Sequence, residues 1–118
     1  MPGMSVKSFE HPDETRTPPM TTVEVVRLEG GTMARMTFQP GWRWSQHIKP
    51  VVGTDSCQVR HRGVLVSGTI HVVHADGTEG DANAGDAYVI EPGHDAWVVG
   101  DRPAVGFEFE SAEIYAKP

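Results

Sequence analysis

The chain has 118 residues, a formal charge of −6 and a pI near 5.4, with 38% hydrophobic and 22% charged residues. That length suits one domain able to bury a real core, and its basic residues form no run or stripe that would hold nucleic acid or an anionic membrane surface. One cysteine, Cys57, excludes an internal disulfide and suits a reducing compartment. No apolar stretch approaches the ~20 residues of a membrane span and no signal-peptide core follows Met1, so the expectation is a soluble, cytoplasmic protein.

Residues 1–20 are polar and proline-rich. Pro12, Pro18 and Pro19 forbid a regular helix or a central strand there, so this segment reads as an arm, laid along the body or along a partner subunit. The domain proper is expected over 21–118. Thr22 to Leu28 and Thr32 to Phe38 are β-rich runs around Gly30-Gly31, a hairpin signal, and Gln39-Pro40-Gly41 ends the second. In the stretch Gly41 to Pro50, strand alternation would set Trp42, Trp44 and Gln46 on one side and Arg43, Ser45 and His47 on the other. Val51 to Ser56 reads as a loop. Cys57, Val59 and His61 then share one face, leading into Gly63 to Val73, a central strand with a bend or bulge at Gly68.

Asp76-Gly77, Asp81 to Asp86 and Gly100 to Pro103 read as turns. Gly85 to Trp97 reads as a strand, a tight Pro92-Gly93 turn and a second strand that opens on His94. There His94, Ala96 and Val98 fall on one face and Asp95, Trp97 and Val99 on the other. Val105 to Glu110 alternates, with Val105, Phe107 and Phe109 expected inward and the glutamates outward. No segment sustains a helical period. About eight or nine short strands at regular spacing imply an all-β sandwich or barrel.

Six histidines and Cys57 are the borderline and soft ligands available. His11 in the arm, and His71 and His74 beside a turn, read as solvated. His47, His61 and His94 each sit at a strand end beside a turn, where a barrel has its mouth. Imidazole is the commonest protein ligand for zinc, iron, nickel, copper and manganese ions. Cys57, four residues before His61, is the alternative thiol ligand or a small buried apolar residue.

These residues resemble the two motifs of the cupin family. Gly41, then five residues, then His47 opens like the first motif. Lys49 stands at its second histidine, and His61, with six residues between it and Gly68, at its glutamate. Gly85, Pro92 and Gly93 match the second motif, with Glu91 at its usual proline and Ala96 at its usual histidine, two places after His94. The resemblance covers about Thr32 to Glu110. It implies a double-stranded β-helix, the jelly-roll cupin barrel, holding a divalent transition metal on His47, His61 and His94, with Cys57 as alternative. A site rich in nitrogen suits Zn, Fe, Ni, Cu or Mn over Mg or Ca. Lys49 and Arg43 would hold an anionic group of a small organic substrate, with Tyr88 and Trp97 lining the site. The function expected is either metal-dependent chemistry on that substrate, dioxygenase- or isomerase-like, or a non-catalytic ligand- or metal-binding cupin. A homodimer completed by the arm is expected as the assembly.

Overall fold

In the computed structural model, which describes residues 3–117, two antiparallel sheets enclose the core. The strands are β1 (Glu14–Arg16), β2 (Thr21–Leu28), β3 (Gly31–Phe38), β4 (His61–Ser67), β5 (Thr69–His74), β6 (Glu79–Asn83), β7 (Ala87–Ile90), β8 (His94–Val98) and β9 (Ala104–Phe109). One sheet runs β1-β2-β3-β9-β4-β7 and the other β6-β5-β8. This is the all-β jelly roll expected. Among the described residues no helix is long and apolar enough to cross a membrane.

The hairpin at Gly30-Gly31 forms as its residues dictate. Leu28 pairs with Gly31, and Gly30 takes φ +87°, which glycine adopts without a Cβ penalty. Inward residues Val23, Val25, Ala34 and Met36 meet Ala96 and Val98 of the opposite sheet, and Trp42, Trp44 and Ile48 complete this core. The arm is partly ordered onto the barrel. Its strand β1 pairs with β2, and Phe9 tilts against Phe107 at 5.2 Å between ring centroids.

Three local expectations are corrected. The run Gly63 to Val73 is two strands, not one. Gly68, at φ +75°, turns the chain from β4 in the larger sheet to β5 in the smaller one. An added Cβ there would lie 2.5 Å from the Pro103 carbonyl oxygen, so close backbone approach requires the glycine. The outer side of β4 is also open, with Val64 and Val66 exposed. Second, Gly41 to Val52 is not a strand and loop. It holds two single-turn helices, α1 (Trp44–His47) and α2 (Lys49–Val52), the latter carrying Pro50 in its first turn and Gly53 as a left-handed cap.

The third correction concerns β9. Ala104, Gly106 and Glu108 face inward, whereas Val105 and Phe107 are half-buried and Phe109 is exposed. Phe107 finds its apolar cover in Phe9 of the arm rather than in the barrel. The inner face at this strand is left to small residues and one carboxylate.

Candidate metal centre

Three backbone arrangements bring the site together. His61 opens β4, paired with Ile90 of β7. His94 opens β8, just after Gly93 makes its turn at φ +101°. The Pro92-Gly93 turn therefore carries the chain between sheets, since β7 pairs with β4 and β8 with β5. Cys57 lies in the segment before β4 and is stitched to that turn by its backbone. Its N–H donates to the His94 carbonyl at 2.8 Å, and its carbonyl accepts from Gly93 N–H at 2.7 Å. The result is a buried trio, Cys57, His61 and His94, whose ligand atoms all lie within 4.8 Å of one another. Cys57 Sγ and His61 Nε2 are 3.5 Å apart, and the two imidazole rings meet edge-to-face at 5.1 Å.

Each imidazole is oriented from behind. His94 Nδ1–H donates to the Glu91 carbonyl at 2.8 Å, which turns Nε2 toward the trio. His61 Nδ1–H donates to Glu108 Oε1 at 2.6 Å. Glu108 in turn accepts from Ser111 Oγ at 2.6 Å on the same oxygen and from Tyr88 O–H at 2.7 Å on the other. A carboxylate buried this deeply is tolerated because its charge is paired and its lone pairs are used.

The electrostatics follow from these contacts. Burial pushes the Cys57 thiol up, but hydrogen bonds from His61 and then His94 outweigh it and bring it from 9.0 to about 6. Burial pushes His61 down, while the Glu108 charge and the bond to Cys57 more than reverse that, to about 10. Burial raises Glu108, yet the His61 charge and the hydrogen bonds from His61, Ser111 and Tyr88 leave it below the ordinary carboxylate value. Burial and the neighbouring Glu108 charge raise the Tyr88 phenol, so it stays a donor. Without a metal the cluster is a thiolate–imidazolium–carboxylate relay.

The donor set fits a transition-metal ion. Tetrahedral zinc with Zn–S near 2.3 Å and Zn–N near 2.0–2.1 Å sets sulfur and nitrogen roughly 3.5 Å apart. That matches the Cys57–His61 separation of 3.5 Å. A soft thiolate with two imidazoles favours Zn, Cu or Fe over Mn. The Glu108–His61 contact is the carboxylate–histidine support that metal-ligating histidines commonly have.

The other residues expected at the site lie elsewhere. His47, at the end of α1, is not in the trio, and its Nδ1 accepts the Arg43 N–H at 3.0 Å. The helical turn replaces the strand whose alternation would have aimed it with the others. Arg43 lies over the Trp97 ring at 4.0 Å, and the His71 ring packs against it at 4.8 Å. Both Arg43 and Trp97 thus sit on the side of β8 away from His94. Lys49 starts α2, half-buried, with no side-chain hydrogen bond or ion pair among the described residues. Tyr88 does reach the lumen, through Glu108. His71 and His74, read as solvated, are held by polar partners, Asp81 at 2.6 Å and the Pro92 carbonyl at 2.8 Å.

Glu108 is the residue that strand alternation missed, because Phe107 and Phe109 carry the apolar signal of β9. The available clue is parity: Ala104 and Gly106 share its face, and a narrow lumen has room only for such side chains. The remaining space, bounded by Trp42, Trp44, Leu65, Ile90, His94 and Glu108 among others, is a cavity of about 40 Å³.

Comparison with known proteins supports the architecture. No protein-family model and no curated protein matches the chain. Solved structures do. A Rhizobium leguminosarum protein of unknown function superposes with a TM-score of 0.63 at 16% identity, over 90% of this chain and 95% of its own. A cupin-like protein from Thermotoga maritima gives 0.53 at 15% identity, over 83% and 72%. A mutant of Bacillus subtilis oxalate decarboxylase gives 0.62 at 14% identity, with 92% of this chain on 29% of that larger one.

Proposed function

On the premise of a small cupin fold, we propose that this chain binds one divalent transition metal on Cys57, His61 and His94, and offers it to a small organic substrate. The observation that carries this reading is the buried trio with its 3.5 Å sulfur–nitrogen spacing. Bound there, the ion would supply Lewis acidity to a ligand in its remaining position. The chain's own residues supply the rest. Glu108 fixes the His61 ring and its tautomer, with Ser111 and Tyr88 fixing Glu108. The Glu91 carbonyl does the same for His94. Trp42, Trp44, Leu65 and Ile90 keep bulk water away, which strengthens every charge interaction inside.

A second reading, a non-catalytic metal- or ligand-binding module, is favoured by the size of the lumen. Its 40 Å³ admits a water-sized molecule but no organic substrate while the barrel is closed.

Metal content of protein purified without an affinity tag tests the proposal. About one equivalent of zinc-class metal is expected, lost in Cys57→Ala, His61→Ala and His94→Ala and kept in His47→Ala. Glu108→Gln should weaken binding by roughly 10–100-fold, the usual effect of removing such a supporting carboxylate. Failure to take up stoichiometric metal, together with thermal stability indifferent to chelator, would overturn it. Turnover of a substrate only by the loaded protein would select the catalytic reading over the second.

A further inference from the structure

After β9 the described residues join neither sheet. Ser111–Glu113 form a 3-10 turn, and the strap that follows inserts the Tyr115 ring into the barrel. Tyr115 is 2% exposed. Its ring stands edge-on to His61 at 5.2 Å and to Phe38 at 6.4 Å. It also forms a wall shared by two spaces: the 40 Å³ lumen, and a cleft of about 250 Å³ under the strap that reaches Cys57. Sites for small molecules usually measure ~300–1,000 Å³. Neither space reaches that size with the ring in place, and Tyr115 lines both.

The strap is buried at Tyr115 and Ala116, and several of its polar fastenings lie at the surface, an Arg27–Glu113 ion pair at 3.5 Å among them. Arg16 Nη1 donates to the Tyr115 carbonyl at 2.8 Å, and Glu113 accepts from Thr32 Oγ1 at 2.8 Å. Ile114 is exposed, and Glu110 and Ala116 hold left-handed φ values of +72° and +58° without being glycine. A second observation points to a ligand. Trp42, whose ring lines the lumen, has a buried Nε1–H with no hydrogen-bond partner among the described residues. An indole donor buried without an acceptor is an uncompensated cost that an incoming hydroxyl would relieve.

We propose that Tyr115 is the resident occupant of a small-molecule site and that the site's ligand is a monocyclic phenol, which takes the ring's place when the strap swings out. The aromatic walls already seat a phenol ring, and Trp42, which lines the same lumen, holds a buried donor that Tyr115 leaves unused. This deepens the reading of the lumen as a small-molecule site, but it needs no metal.

The test uses full-length protein in chelator with p-cresol as the probe. Binding is followed by calorimetry and strap opening by amide hydrogen exchange at Ile114 and Tyr115, whose N–H groups bond to the Ser111 carbonyl. Saturating p-cresol should speed exchange at those two amides. Arg16→Gln, which loosens the strap and leaves the pocket walls intact, should tighten apparent affinity by roughly tenfold, because a larger share of molecules is open beforehand. Thr32→Val, acting on the other fastening, should do the same to a smaller degree if Arg16→Gln does not fold. Toluene should bind severalfold more weakly than p-cresol, and the difference should vanish in Trp42→Phe. No binding, binding without faster strap exchange, or unchanged affinity in the loosened variant would overturn the proposal. Metal stoichiometry is measured separately, so either idea can fail alone.

Discussion

Glu108 serves three donors at once, and its charge favours an imidazolium at His61 beside the Cys57 thiolate in the buried lumen. In the metal-free protein the sign of the pH effect follows from each partner. Cys57 titrates lower in the folded state, about 6 against 9.0, so its contribution to stability is complete above 9.0 and lost as pH falls through 6. His61 titrates higher, about 10 against 6.5, so its contribution is complete below 6.5 and lost as pH rises through 10. The pair is therefore charged between about 6 and about 10. Ultraviolet absorbance of the thiolate in metal-free protein should show a midpoint near 6, shifted upward in His61→Gln. A wild-type midpoint near 9 would contradict the relay. Residue types and spacing made Cys57, His61 and His94 visible as candidates. Glu108 was hidden because strand parity is inferred from the larger apolar residues, and in β9 those face the arm and solvent.

Elements show where local pattern suffices and where it does not. The hairpin between β2 and β3 and the turns at Asp76-Gly77 and Gly100 to Pro103 could be read from glycine placement alone. The helical turns α1 and α2 could not, since four residues span hardly more than one turn and leave no period to detect. Pro50 and Gly53 were the signals present, and both also suit a loop. Mistaking these turns for a strand is what put His47 among the ligands. Gly68 shows the limit differently: its bend was legible, but a change of sheet depends on what lies opposite. Gly68→Ala should cost at least ~2 kcal/mol, combining a left-handed φ with contact on the Pro103 carbonyl. Gly77→Ala, with similar φ and nothing within 4 Å, should cost less. Urea unfolding of the two variants gives the comparison, and equal losses would show that crowding at the corner does not matter.

Across the whole molecule, alternation identified the inward residues of strands such as β2 and β8 but not those of β9, nor which strands would be neighbours. The order β3-β9-β4 joins segments far apart in sequence, and only the closed barrel reveals it. One side of that sheet remains apolar: Val64, Val66, Val89 and Phe109 are exposed on β4, β7 and β9, and β7 is an open edge. The arm carries Met4 and Val6, both more than three-quarters exposed. Phe9 shows that the arm can cover this sheet. A second copy of the chain, its arm laid on that face, is the expected cover. Sedimentation at micromolar concentration should give twice the 12.9 kDa chain mass, and Val66→Lys with Val89→Lys should return the single-chain mass. A wild-type protein that sediments as one chain would remove this expectation.

The clasp between Arg16 and the Tyr115 carbonyl joins residues 99 positions apart. A contact of such sequence separation closes its loop at small entropic cost only after the intervening strands have paired. The lumen should therefore be the last part of the molecule to shut during folding. Cys57, His61 and His94 would pass through a stage in which they are already gathered but not yet covered. Refolding in the presence of metal or a small aromatic should fill the barrel faster than adding either to finished protein, giving the site a history as well as a shape.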